Sequence, residues 1–421
     1  MKEDFLYYLW EQRLLKEPLK TTTGEPVHVV HPGYRNHDSG PDYLEAKIKI
    51  GDRLWAGHVE IHVKTSDWNR HGHQHDKAYH NVVLHVVFED DGRVNEIPVM
   101  ELKGHFDESL YSAYERFLNS KRWIACERHI GDVSSFTRVS LLDRMAVERL
   151  EMKSDAVGKL LTASRYDWEG TFYQLMLRYF GLKVNSEAAE YLSYILPLKT
   201  LLKHADQLLQ VEAMLFGCAG FLEKDFTEEY PKLLKREFNV MRSKFGLLTM
   251  PEERWKFMRM RPVNFPTIRL AQVAQLIHLN GTMFSKAREA DTLGQVRSLF
   301  EVRASPYWDT HYRFEAESAS TSGTPTAKRI GEGTIDVLLV NAVIPLLFCY
   351  GKFHKDESYC EKALRFLEST DAEDNTIVRD FARAGIRATN AMQTQALLQL
   401  YNHYCKRKRC LECSIGNVIL R

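Results

Sequence analysis

Apolar positions near the start of the chain recur at helical spacing (Phe5, Leu9, Leu14) and predict a helix over residues 4–16. A turn follows at 21–26, then a short β-like run at 27–30. His31-Pro32-Gly33 and Asp38-Ser39-Gly40-Pro41 carry turn chemistry. The period then changes to two. Ala46-Lys47-Ile48-Lys49-Ile50 alternates as a half-buried strand does, Gly51-Asp52 turns the chain, and residues 54–64 alternate again. Residues 82–88 predict a third strand, and Asp90-Asp91-Gly92 predicts a hairpin turn with a strand on either side. Residues 27–103 therefore read as a sheet of about four to six strands.

From about residue 108 the helical period takes over. Residues 134–160 form one long periodic stretch. Asp167 is placed to cap a helix beginning at Trp168, and Ser186 to cap another over 187–195. Further helices are expected through Leu400, interrupted by a Ser-, Thr-, Gly- and Pro-rich loop at 315–333. The longest apolar run, 337–350, holds Asn341 and Pro345 and reads as a buried helix. No run approaches the roughly 18 apolar residues of a membrane span, and no repeat of fixed period is visible. The pattern predicts an α+β chain. A mixed α/β sheet domain covers 1–130, and an all-helical domain with a cysteine-bearing tail covers 131–421.

Composition sharpens this picture in three places. A hydrophobic fraction of 44% and a charged fraction of 27% over 421 residues are those of an ordinary globular protein with a sizeable core. The 57 basic and 56 acidic residues leave a net charge of +1. This argues against a chain that binds nucleic acid by overall charge, so any such contact must come from a local basic patch. The start, with Glu3 and Asp4 before a short amphipathic run, lacks the basic region and long apolar stretch of a signal peptide. Seven cysteines, odd in number and sparse, do not form a disulfide framework. Both features point to the cytoplasm.

Eleven of the 17 histidines fall in residues 28–105, which concentrates candidate chemistry in the sheet domain. In the run Gly57-His58-Val59-Glu60-Ile61-His62-Val63-Lys64, strand geometry puts Glu60, His62 and Lys64 on one face. Val59, Ile61 and Val63 take the other. Asp42, from the end of a neighbouring strand, is placed to complete an acidic pair with Glu60. Carboxylate oxygens suit Mg²⁺ or Mn²⁺, and such an ion activates water toward a phosphodiester. Lys64 or His62 would assist that water. A competing site consists of His71, His73 and His75 with Asp76 and His85, whose imidazoles suit Zn²⁺.

Pro41-Asp42 followed by Glu60 on the next strand resembles the core of the PD-(D/E)xK nucleases. The resemblance implies a restriction-endonuclease-like fold, catalytic roles for Asp42, Glu60 and a lysine, and help from an acid on the first helix, for which Glu11 is the candidate. This chain departs from the pattern at the lysine: His62 stands where the family has it, and Lys64 comes four residues after Glu60. Almost the whole chain also resembles a bacterial family of unknown function. That likeness is carried by Gly40-Pro41-Asp42, the 59–64 strand with Ser66-Asp67-Trp68, Asp167-Trp168-Glu169-Gly170, Arg261-Pro262-x-Asn264-Phe265-Pro266 and the cysteine-bearing tail. It implies a shared architecture and no particular activity.

In the helical part, Arg254, Lys256, Arg259, Arg261 and Arg269 interleave with Trp255, Phe257 and Phe265. This composition can grip phosphates and stack on bases, although a solvated helix end followed by a turn is the plainer reading. Residues 307–312 mix aromatic and polar groups that pack or line a cleft. In the tail, Cys410-x-x-Cys413 has metal-clip spacing, Cys405 offers a third thiolate, and His403 or Cys126 a fourth ligand, for Zn²⁺ or an iron–sulfur cluster. Some PD-(D/E)xK nucleases carry such a cluster near the C-terminus. Lys406 to Arg409 form the densest basic patch. No phosphate-binding Gly-x-x-x-x-Gly-Lys loop and no Gly-x-Ser-x-Gly elbow occurs, which removes NTPase and serine-hydrolase readings. Two functions remain: a metal-dependent nuclease or phosphodiesterase, and a non-catalytic nucleic-acid- or protein-binding scaffold on an inactive nuclease-like fold.

Overall fold

The computed structural model describes residues 1–92, 97–317 and 325–421. The chain divides into two compact units, one of residues 1–141 with 401–421 and one of residues 142–400. The cysteine-bearing tail, grouped by sequence with the helices, thus belongs to the unit that carries the sheet. The architecture is mixed: an N-terminal mixed sheet and a large helical part.

The first unit opens with helix α1, Glu3–Glu11. It stops short of the predicted residue 16. Arg13 turns left-handed (φ 51°), and Leu14 N–H bonds back to the Leu9 carbonyl at 3.0 Å, closing the helix. Seven strands follow: β1 (Leu19–Lys20), β2 (Pro26–His31), β3 (Tyr34–Arg35), β4 (Tyr43–Ile50), β5 (Arg53–Lys64), β6 (Val82–Glu89) and β7 (Val99–Glu101). Their order is β1-β2-β4-β5-β6-β7, with β3 pairing β4. The β2, β4 and β5 neighbours are antiparallel, and Gly51-Asp52 makes the expected tight turn between Ile50 and Arg53.

Beyond β5 the sheet becomes parallel, first to β6 and then to β7. The hairpin expected at residues 90–92 is therefore corrected. The strand after it pairs parallel to β6, and residues 93–96 of the connection lie outside the described residues. Burial gives the reason. Leu84 and Val86 are covered on one face of β6 and His85 and Val87 on the other, as parallel strands require. One core face gathers Leu6 and Trp10 of α1 against Ile48, Val59, Ile61, Leu84, Val86 and Met100. Gly57 is required at the start of the β5–β6 pairing: a Cβ there would lie 2.5 Å from the Asn81 carbonyl, which accepts the His58 N–H. Two helices complete this account of the unit: α2 (Asp67–Arg70), in the β5–β6 connection, and α3 (Glu108–Leu118).

The second unit is helical. Helix α4 (Ser135–Ala163), whose residues from 142 onward lie in this unit, matches the long periodic stretch, and α5 (Trp168–Phe180) begins where expected, with the Asp167 carboxylate accepting the Gly170 N–H at 2.9 Å. The next helix, α6, runs Leu182–Ile195, so Ser186 lies inside it rather than at its cap. Helices α7 (Leu208–Cys218), α8 (Glu229–Phe245) and α9 (Pro266–Asn280) supply much of the core. A further helical run, Glu332–His354, is long and apolar enough to cross a membrane, contrary to the expectation that no run is. It is 67% buried in this unit, as a core helix is. Its turn at Leu339–Val343 is widened, and the Lys153 ammonium donates to the Val340 carbonyl (3.2 Å) and the Asn341 side chain (2.9 Å) there.

Glu212 of α7 is 2% exposed and accepts the Tyr230 hydroxyl at 2.8 Å, yet its Oε1 has no partner among the described residues. Burial pushes its carboxyl up to about 7, against 4.5 ordinarily, although hydrogen bonds from Ser305 and Tyr230 oppose the shift. Stability from the protonated form is then full below pH 4.5 and is lost as pH rises through about 7. Glu212→Gln should accordingly be stabilising by about 1–3 kcal/mol at pH 8 and near neutral at pH 4.5. Thermal unfolding of both proteins across that range measures it, and a difference independent of pH would refute the assignment.

Candidate functional site

The alternation expected along β5 holds, but its polar face is not open. Val59 and Ile61 enter the core, while Glu60 (5% exposed) and His62 (3%) are covered on the opposite face. The cover is the connection between β5 and β6, which folds back as α2 and two short turns, His73–His75 and Lys77–Tyr79. His85 on β6 pairs in register with Glu60 and so shares its face.

Asp42 and Glu60 are locked together through backbone. The Asp42 N–H donates to Glu60 Oε2, and the Ile61 N–H donates to Asp42 Oδ2, each at 3.0 Å. The register of β4 on β5 slips between Tyr43 and Ala46, with Glu45 left-handed at φ 59°. This bulge is the local device that turns the start of β4 toward Glu60.

Three histidines close on the same point. Glu60 Oε1 is 3.3 Å from both His62 Nε2 and His73 Nε2. His71 Nδ1 is 3.2 Å from His62 Nε2. One ring nitrogen from each of His62, His71 and His73 lies within 4.8 Å of the other two. Behind them, His62 Nδ1 is 2.9 Å from His85 Nε2. Aromatic contacts fix the rings: His73 stacks on Tyr79 at 3.8 Å, and Trp68 meets His73 edgewise and His85 at a tilt.

Helix α1 lines the acidic side. The Tyr7 hydroxyl is close enough to Asp42 for the two groups to act on each other, and the Arg35 guanidinium lies 3.4 Å over the Tyr7 ring. Glu3, one turn before Tyr7, is close enough to Asp42 for each charge to act on the other. Glu11 follows Tyr7 by one turn on the same face. Its carboxylate accepts the Tyr43 hydroxyl at 3.0 Å, at the other end of the helix, about 12 Å along the axis from Glu3. Among α1 acids, Glu3 is thus the one beside Asp42. The spacing Glu3-Tyr7-Glu11 puts both acids on one helix face, so Glu3 is as much a candidate by spacing as the expected Glu11.

Lys64 takes another course. Its ammonium is half exposed and 3.8 Å from Asp91. His75 and Asp76 are exposed, and Asp76 caps the Lys77–Tyr79 turn. Of the five groups read as a zinc-type site, His71 and His73 therefore reach the centre, joined by His62, and His85 stands behind it.

Electrostatics follow from burial. Burial, then the Asp42 charge, pushes Glu60 up to about 8, and burial also raises Asp42. His62 is driven down to about 2 by burial and then by His85, and His85 to about 4 by burial and then by His73. At neutral pH Glu60 therefore holds its proton beside neutral imidazoles, and a cation binding there would have to displace that proton.

The tail cysteines also meet. Cys126, Cys405, Cys410 and Cys413 line one small cavity together with Phe117, Tyr404, Arg409 and Gly416. His403 is not among its lining residues. Burial pushes the Cys126 thiol up to about 12 and the Cys410 thiol to about 11. In the neighbouring basic run, Lys408 donates to the Phe117 and Ser120 carbonyls and Arg409 pairs with Glu412, so half of the patch serves the fold. In the second unit, Trp255 is 5% exposed and bonds the Ala219 carbonyl, and Arg313 covers the Phe257 and Phe265 rings. Trp308 is fully buried, and Tyr307 stacks on Tyr230 and His311.

Residues 3–376 match the family described as "Protein of unknown function (DUF2851)", and the chain belongs to that family. Comparison with the curated proteins and with the solved structures gives no match.

Proposed function

We propose that this family member is a metal-dependent hydrolase of phosphodiester bonds, a nuclease-like enzyme whose centre is Asp42, Glu60, His62, His71 and His73. One observation carries the reading: Glu60 Oε1 stands within 3.3 Å of two imidazoles while its other oxygen is tied to Asp42, which collects an acid pair and three histidines at one point. Imidazole donors favour Mn²⁺ or Zn²⁺ over Mg²⁺. Bound there, such an ion would supply an activated water and a counter-charge to a developing phosphorane. The chain's own groups do the rest. The Asp42 and Glu60 backbone bonds hold both carboxylates rigid, Arg35 offers a cation beside Asp42, and Trp68 and Tyr79 keep the rings in place.

The restriction-endonuclease likeness is part of this proposal. Its support is an acid on α1, an acid after Pro41 and an acid on β5. The histidines replace the missing lysine of that pattern, since Lys64 faces Asp91. The same position of Lys64 favours the second reading, a binding scaffold on an inactive nuclease-like fold.

Calorimetric titration of Mn²⁺ and of Zn²⁺ into wild type and the Asp42→Ala, Glu60→Ala double variant separates the two. Binding near one ion per chain, lost in the variant, is the expected result, followed by cleavage of DNA or RNA substrates. Equal behaviour of both proteins would leave the scaffold reading. His85 gives a second check. His85→Leu stays close to the histidine volume but removes the 2.9 Å bond that orients His62, and metal affinity should fall about 10–100-fold. Unchanged affinity would make His85 a packing residue only.

A further inference from the structure

We propose that the second unit binds a chloride-sized anion against Arg269, in a cavity at the start of α9. Arg269 is the fourth residue of that helix and is 6% exposed. A cation so deeply buried is ordinarily paired with an acid, because an uncompensated charge in the interior is costly. Here its hydrogen-bond partners are neutral: Gln272 Oε1 at 2.8 Å, Asn264 Oδ1 at 2.6 Å and Thr334 Oγ1 at 3.0 Å. Its Nε is buried and has no acceptor among the described residues. Burial pushes the guanidinium down to about 10 from 12.5, and no carboxylate among the described residues opposes that shift.

The surroundings favour negative charge as well. Arg269 lines the cavity with Asn185, Asn264, Phe180, Trp255 and Leu270, and no acid is among the lining residues. The Asn185 amide is already committed, since it clamps the Lys256 backbone at 2.7 and 2.8 Å, so Arg269 is the donor left for a ligand. Helix α9 starts at Pro266 without a side-chain cap and without an acid in its first turn. Its positive end is thus uncompensated, and the guanidinium there adds to the same field. An anion in the cavity offsets both. The segment leading to it, residues 254–261, exposes Arg254, Lys256, Arg259 and Arg261 and contains no acid.

Size and lining select the occupant. The cavity admits about one water-sized particle. Phosphate and carboxylate groups are larger and hold their water strongly, and walls of Phe180, Trp255 and Leu270 would not replace it. Chloride is a single, weakly hydrated sphere that accepts N–H donors beside apolar surface. Bound there, it would tie the α5–α6 junction at Phe180 and Gly181 to the Trp255 segment and to the start of α9, all within the second unit.

The full-length protein is dialysed into sodium gluconate, and thermal unfolding is followed as chloride or bromide replaces gluconate at constant ionic strength. The melting temperature should rise by about 3–8 °C over roughly 1–100 mM halide and then level off, as a binding equilibrium does. Asn264→Asp sets a carboxylate of the same shape against the Arg269 guanidinium. That variant should melt above wild type in gluconate and lose the halide shift, because it carries its own counter-ion. Arg269→Gln should lose the shift too. A wild-type melting temperature independent of halide would overturn the proposal, as would an equal shift in Asn264→Asp. Phosphate that raised wild type as much as chloride does, without raising Asn264→Asp, would give the site to oxyanions and overturn it as well. Should Arg269→Gln fail to fold, wild type and Asn264→Asp still decide the matter.

Discussion

Replacing Glu60 with glutamine is expected to raise the melting temperature of the metal-free protein while reducing metal binding and hydrolysis by about 10²–10⁴-fold. The two effects have one cause. Glu60 is 5% exposed and shares its space with Asp42, so the apo protein holds two carboxylates where one charge is already costly. Glutamine has the same shape, and its carbonyl oxygen can still accept the Asp42 N–H. It removes the second negative charge and stabilises by about 1–3 kcal/mol at pH 8. It also removes the anionic oxygen that faces His62 and His73. Adding metal should reverse the order of stability, because the ion binds the folded wild type and not the variant. Thermal unfolding with chelator and with Mn²⁺ reads both signs. A variant less stable than wild type in chelator, or one that keeps its metal affinity, would remove Glu60 from the centre and leave it a structural acid.

The second large effect is expected far from this chemistry. Gly217→Ala should lower the melting temperature of the helical unit by about 5–10 °C, corresponding to about 2–4 kcal/mol. Gly217 lies in α7, where the helix presses on Phe238 of α8. An added Cβ would sit 2.2 Å from the phenyl ring. Phe238 is 2% exposed, so neither helix can yield without disturbing the packed core. Phe238→Leu in the same chain should restore part of the loss, because the smaller side chain vacates the contested volume. The pair would then be non-additive, with the double variant more stable than Gly217→Ala alone. A Gly217→Ala protein melting within a degree of wild type would show that the α7–α8 contact relaxes cheaply.

Local pattern was sufficient for most elements because their signals are local. The two-residue period of 46–50 and 54–64, with Gly51-Asp52 between them, specified a hairpin whose pairing needs no distant partner. Asp167 before Trp168 specified a helix start in the same way. Strand alternation also put Glu60 and His62 on the face opposite Val59 and Ile61. Where the reading failed, a competing long-range effect had won. The turn chemistry at 90–92 suggested an antiparallel neighbour, but two-sided burial of β6 made the pairing parallel. Ser186 has capping chemistry, yet the helix already runs from Leu182. The apolar run at 337–350, read as a buried helix, is one, although its full helical run at 332–354 passes for a membrane span by length and composition.

The sequence by itself determined the division into sheet and helices, the polar face of β5, and the supply of acids, imidazoles and thiols. Tertiary structure alone decided which of them meet. Eleven clustered histidines offered many combinations, and the fold-back of residues 65–81 over β5 selected His62, His71 and His73 and set His75 aside. The i, i+4 spacing made Glu3, Tyr7 and Glu11 equivalent along α1, and docking of that helix gave Asp42 to Glu3. Cys126 joined the tail thiols only through the packing of chain segments almost 280 residues apart (126 to 405). Periodicity reports which side of an element is buried, because that is a property of neighbouring residues. It is silent on which buried groups share a cavity, because that depends on contacts whose partners are distant in the chain.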